Sequence, residues 1–145
     1  MNLNELDRRL LALLQADART SAADLARQLG VARTTVLARL TRLQRENVIV
    51  GFTVRLGTGT GDRGVEAYVG ITTSPKSART VTLRLAALPE LRQLCSVSGE
   101  FDYLALLRAE NTVRLDALLD EIGAIDGVTK TTTSVVLARR IDRLA

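Results

Sequence analysis

Apolar residues recur at helical spacing as far as Leu43 and at every second position from Val65. Between the two regimes lies GTGTGDRG, residues 57–64, with four glycines and no apolar residue. A helix buries a stripe of period 3.6 and a strand one of period two, so a chain that switches between them across a flexible stretch is expected to build two units. The expected division is a helical unit over residues 1–50, a strand and glycine-rich linker over 51–64, and a mixed helix-and-strand unit over 65–145. The 145 residues suffice for two small domains, and 46% hydrophobic against 25% charged residues excludes disorder.

In the first half, Leu6, Leu10, Leu13 and Leu14 fall on one face of a helix over Glu5–Ala16, with Asn4 as its N-cap and Asp7 three residues on. Ser21 followed by Asp24 opens a second helix, whose stripe of Leu25, Ala26 and Leu29 is stopped by Gly30. The connection Gly30-Val31-Ala32 leads into a third helix with Val36, Leu37, Leu40 and Leu43 on one face, ending near Asn47. Two short helices joined by a tight glycine turn form a helix-turn-helix. Ile49–Leu56 is expected to be a strand.

In the second half, Val65, Ala67, Val69 and Ile71 alternate with Glu66, Tyr68, Gly70 and Thr72 as a half-buried strand. Ser74-Pro75 opens a helix with Ala78, Val81, Leu85 and Leu88 inside, and Pro89 closes it. Strands are expected over Leu94–Ser98 and Asp102–Ala109, then a helix capped by Asn111, then a strand over Val128–Ala138. The order β-α-β twice over is the ferredoxin-like four-stranded antiparallel sheet with both helices on one face.

The net charge of +4 is unevenly placed: residues 1–50 hold eight arginines against five acids. From 27 to 45 the chain carries Arg27, Arg33, Arg39, Arg42 and Arg45 and no acid. Stepping about 100° per residue from Arg33 puts Thr34, Thr35, Ala38, Arg39, Thr41, Arg42 and Arg45 opposite the leucine stripe. A short, hydroxylated and cationic face on the second helix of a helix-turn-helix suits the major groove of double-stranded DNA. Thr34, Thr35, Ala38 and Arg39 are the expected base readers, Arg39 through a bidentate fork to guanine. Arg42 and Arg45 are expected on phosphates, Arg33 at the mouth of the groove, and Arg27 on a phosphate or in solvent. The competing reading is a merely solvated basic face; the exclusive use of arginine, whose planar fork fits phosphate and guanine, argues against it.

Enzyme chemistry starts from a poor inventory. The absence of histidine removes the commonest general base and metal ligand, and a single cysteine leaves no zinc pattern. No cofactor is expected. Cys95, in LCSVSG, is expected to be buried in a strand. Gly59, Gly61 and Gly64 match G-x-G-x-x-G, but a strand follows where a nucleotide fingerprint requires a helix. No membrane span or signal peptide can be drawn, so a cytoplasmic location is expected.

Taken in order, LNELDRRLLALLQADART, DLARQLGVARTTVLARLTRLQRENVIVGF, SGEFDYLALL and DGVTKTTTSVVL resemble the Lrp/AsnC, or feast/famine, family of transcription regulators over the full length. The resemblance implies an α+β chain: a three-helix (winged) helix-turn-helix domain followed by a βαββαβ ferredoxin-like (RAM/ACT-like) sandwich. It implies a homodimer formed by the sheet domains, a further assembly into tetramers or octamers, and a small-molecule effector such as an amino acid. The family's G-x-x-D-Y signature falls on Gly99, Asp102 and Tyr103, and its threonine-rich last strand on Thr131 and Thr133. These residues are candidates for the effector site; alternatively Gly99 and Asp102 shape a turn, Tyr103 packs and the threonines favour strand. Members commonly carry Ser-Pro where Ala32-Arg33 stands, so the hydroxyl cap of the recognition helix is missing. Siroheme decarboxylases share this architecture, but their resemblance implies histidines that the chain lacks. The expected function is sequence-specific transcriptional regulation tuned by an effector, the alternative a low-specificity architectural DNA-binding protein without one.

Overall fold

The computed structural model describes residues 2–57 and 64–143, of which 2–57 and 64–142 belong to two separate compact units. The linker positions 58–63, with Gly59 and Gly61 of the G-x-G-x-x-G match, lie outside the described residues.

The first unit consists of α1 (Glu5–Ala16), α2 (Ala22–Leu29) and α3 (Arg33–Arg45). Helix α1 opens with a reciprocal capping box: Asp7 N–H donates to Asn4 Oδ1 at 2.9 Å, and Asn4 N–H donates to Asp7 Oδ2 at 3.2 Å. Ser21 Oγ accepts from Asp24 N–H at 3.1 Å to open α2. Gly30, at φ +70°, takes the left-handed conformation that ends α2 and lets Val31 N–H reach back to the Ala26 carbonyl at 3.0 Å. Helix α3 has Ala32 as its N-cap and no side-chain cap bond, an omission that costs about 1 kcal/mol relative to serine. It ends into Asn47, the one non-glycine residue with positive φ among those described. Leu10, Leu14, Leu25, Ala26, Leu29, Val36 and Leu43 form the core.

The strand expected over Ile49–Leu56 does not form. Val50, Phe52, Val54 and Leu56 do alternate with smaller or polar residues, but all four are exposed, and residues 50–57 join no ladder among the described residues. Alternation specifies a face, whereas a strand also needs a partner edge.

The second unit runs β1 (Val65–Thr73), a 3-10 turn (Pro75–Ser77), α4 (Ala78–Ala86), β2 (Leu91–Ser96), β3 (Tyr103–Ala109), α5 (Thr112–Gly123) and β4 (Val128–Val135). The sheet is antiparallel with order β2-β3-β1-β4, the ferredoxin-like arrangement. Ala67, Val69 and Ile71 of β1 and Ala105 and Leu107 of β3 bury one face against Val81 and Leu85 of α4 and Leu115, Leu118 and Ile122 of α5. Gly127, at φ +98°, precedes β4 where a Cβ would come 2.2 Å from the Ser77 Cβ, so the close approach of this turn to the 3-10 turn requires glycine.

Among the described residues of this unit, α4 and α5 cover that face alone. On the other, Tyr68, Leu104 and Leu106 are half-buried and the Phe101 ring lies over Gly70, where a Cβ would stand 2.6 Å from it. Cys95 pairs with Leu104 on this open face and is exposed, which corrects the expectation of burial. The local run LCSV shows apolar character but not which side of the sheet carries the helices. Glu66 accepts from Arg108 and from Arg139, whose Nη2 lies 2.5 Å away, tying the segment after β4 to β1. No helix among the described residues is long and apolar enough to cross a membrane.

Candidate functional site

Helix α3 is rotated from its expected setting. Its buried residues are Val36 and Leu43, with Thr35, Arg39, Leu40 and Arg42 half-buried, while Arg33, Thr34, Leu37, Ala38, Thr41, Gln44 and Arg45 are exposed. At about 100° per residue the outward strip centres roughly 75° away from the position opposite the leucine stripe. Leu37 therefore faces out, and the side carrying Arg39 and Arg42 turns inward.

What turns it is Asp7. The side chain lies on the same stripe of α1 as Leu10 and Leu14 and is completely buried. Arg39 Nη1 donates to Asp7 Oδ1 at 2.8 Å and to Asn4 Oδ1 at 3.1 Å, and Arg42 Nη2 donates to Asp7 Oδ2 at 2.6 Å. One sealed carboxylate thus holds two guanidinium groups of α3, spaced i and i+3 on one helix face. Burial alone would push the Asp7 carboxyl up; the hydrogen bonds from Arg39, Arg42 and the Asn4 backbone outweigh it and hold the group below its usual value. The sequence assigns Asp7 only to the cap. An acid three and seven residues before two core leucines was the available signal that it is buried and needs cations.

The remaining candidates differ in placement. Arg33, Thr34, Ala38 and Arg45 lie on the outward strip and Thr35 at its edge. Arg45 is 72% exposed beside Glu46, its Nη2 3.6 Å from Oε1. Arg27 is also exposed and donates to Asp24 at 2.6 Å. Leu37 and Gln44, absent from the sequence assignment, belong to the strip. Arg39 and Arg42 reach the buried acid instead.

In the second unit, Gly99 sits at φ +107° in the turn after β2, with open space where a Cβ would be. Asp102 closes the same turn: its carbonyl accepts from Val97 N–H at 3.1 Å, and its Oδ2 accepts from Thr73 N–H at 2.8 Å. Tyr103 and Thr131 are both register partners of Ile71, on the strands flanking β1, and Thr133 partners Val69. Their side chains therefore share the helix-covered face, with Tyr103 and Thr131 two strand spacings, about 10 Å, apart. Asp102 N–H bonds the Ile71 carbonyl at 3.0 Å, so Asp102, Tyr103 and Thr131 gather around the end of β1.

Comparison with known proteins covers both units. Residues 66–145 match the Lrp/AsnC ligand binding domain, and residues 3–44 the AsnC-type helix-turn-helix domain. An uncharacterised HTH-type transcriptional regulator of Pyrococcus abyssi is 34% identical over 137 residues, covering 94% of this chain and 87% of its own. The HTH-type transcriptional regulator LrpA of Pyrococcus horikoshii is 30% identical over 138 residues, 94% and 98% of the two chains. Among solved structures, AsnC of E. coli aligns with a TM-score of 0.85 at 26% identity over 100% and 99% of the chains. A feast or famine regulatory protein from M. tuberculosis, complexed with L-methionine, aligns with a TM-score of 0.84 at 28% identity over 98% and 97%.

Proposed function

The chain belongs to the Lrp/AsnC family of DNA-binding transcriptional regulators, a family of regulators rather than enzymes, and from that premise we propose a sequence-specific regulator whose DNA affinity is set by an amino acid bound to the sheet unit. The observation that carries the DNA half is the outward strip of α3. Thr34, Leu37, Ala38 and Thr41 are short or apolar groups suited to base edges and thymine methyls, and Arg33, Gln44 and Arg45 border them with donors for phosphates. Thr35, half-buried on α3, and Arg27, exposed on α2, complete the proposed contacts.

The effector half is supported by the family description of residues 66–145 and by the L-methionine complex of the M. tuberculosis relative. The open glycine turn at Gly99, the Asp102 carboxylate beside it and the hydroxyls of Tyr103, Thr131 and Thr133 supply backbone amides, an anion and donors of the kind that hold an amino acid. Association of the sheet units into a homodimer, and of dimers into tetramers or octamers, is part of the same proposal; the half-buried Tyr68, Leu104 and Leu106 of the uncovered face suit it.

The test is selection of duplexes from random sequence by the full-length protein, followed by affinity measurements with and without each standard amino acid. A preference for the selected duplex of roughly a thousandfold or more over random duplex, changed by at least one amino acid, is expected. Equal affinity for both duplexes would establish the low-specificity architectural alternative. Site preference unmoved by every amino acid would remove the effector half alone.

A further inference from the structure

We propose that Asp7 determines DNA specificity by standing in for phosphate: its carboxylate occupies Arg39 and Arg42, so that two cations of the recognition helix add nothing to backbone binding. The proposal rests on α3 being the groove-facing helix.

A carboxylate and a phosphate present the same partner to arginine, two or more anionic oxygens within reach of the guanidinium donors. Here both oxygens are used, Oδ1 by Arg39 at 2.8 Å and Oδ2 by Arg42 at 2.6 Å. The acid cannot follow the arginines outward. Its Oδ2 also accepts from Asn4 N–H, and its own N–H is held by Asn4 Oδ1, so the capping box fixes it at the first turn of α1. A negative group there is further favoured by the positive end of the helix dipole. A phosphate would have to displace a partner that is already placed and buried, with both of its oxygens bonded.

The consequence falls on random duplex more than on the operator. Non-specific affinity depends almost wholly on the number of phosphates neutralised, each adding about 0.9 to the slope of log K against log salt, whereas base readout is insensitive to that count. Two masked arginines therefore lower non-specific binding and raise the ratio that governs target search. They also fix the rotation of α3, so that its small side chains rather than its arginines face the bases.

The experiment measures salt dependence of binding to random-sequence duplex by full-length D7N, the triple variant D7N/R39M/R42M, R45Q and E5Q, the last removing an exposed acid in the same turn as a control for charge alone. D7N is expected to steepen the slope by about 1 to 2 beyond any change in E5Q and to bind random duplex several-fold more tightly. The triple variant is expected to keep the parent slope, because the two arginines it removes make no phosphate contact. A triple variant shallower by about 2, or folded D7N with the slope of E5Q, would overturn the proposal. If D7N does not fold, the triple variant decides alone, its uncharged side chains replacing the charge cluster. R45Q is expected to lose about 1 from the slope; an unchanged R45Q slope would instead overturn the groove-facing assignment of α3, and with it the premise.

Discussion

Leu10→Ala is expected to unfold the helical unit and abolish DNA binding while the sheet unit stays folded. Leu10 is fully buried and packs in a core of seven buried residues separate from that of the sheet. Truncation removes the transfer free energy of the lost carbons and leaves a cavity, together about 2–5 kcal/mol. A helical unit of some fifty residues buries a small fraction of its surface and has only a few kcal/mol of net stability, so the loss is comparable to the whole. Hydrogen exchange distinguishes the units: α1 and α3 amides should lose protection, and β1 and β3 amides should keep it. Equal loss in both units would show that they do not unfold separately.

Replacing Arg39 and Arg42 together by methionine, with Asp7 left in place, is expected to destabilise the helical unit by about 3 kcal/mol and to reverse the pH dependence that Asp7 confers. Stranding a buried charge costs about 3–5 kcal/mol. The guanidiniums retain 25% and 36% exposure, so solvent already screens part of the interaction and the lower end applies. In the parent the Asp7 carboxyl lies below its usual value, so its contribution is present above about pH 4 and is lost as pH falls through the folded value. Without the arginines only the Asn4 N–H still opposes burial, the largest of the influences on the group, and the carboxyl is raised. Stability is then full below about pH 4 and declines as pH rises toward the raised value. Urea midpoints of α3 protection between pH 3 and 7 should show the variant gaining on the parent as pH falls. A constant gap would mean that Asp7 carries no buried charge.

Local signals made most of the fold legible. The bounds of α1 follow from Asn4 and the leucine stripe, Gly30 ends α2 in the left-handed form expected of it, and the period-two run from Val65 becomes β1 with its even-numbered residues on the uncovered face. What was not legible depends on partners distant in sequence. The stripe of α3 gave a helix but set its rotation wrongly, because the average direction of Val36 and three leucines ignores an acid on α1 that draws Arg39 and Arg42 inward and releases Leu37. Cys95 and residues 49–56 illustrate the same limit for strands: alternation names two faces without saying which is covered or whether an edge is available to pair. For the effector candidates, the run around Gly99 and Asp102 predicts a turn, while the bond of Asp102 to Thr73 and the register that places Tyr103 and Thr131 around Ile71 emerge only from the sheet.

The outward strip of α3 is expected to meet DNA. The most direct test is thiol protection in a Cys95→Ser background, with single cysteines placed at Ala38, Thr41 and, as a reference on α1, Gln15. Saturation with a selected duplex should protect the thiols of Ala38→Cys and Thr41→Cys from alkylation and leave that of Gln15→Cys reactive. Thiols at 38 and 41 that react as fast in the complex as in the free protein would contradict the claim.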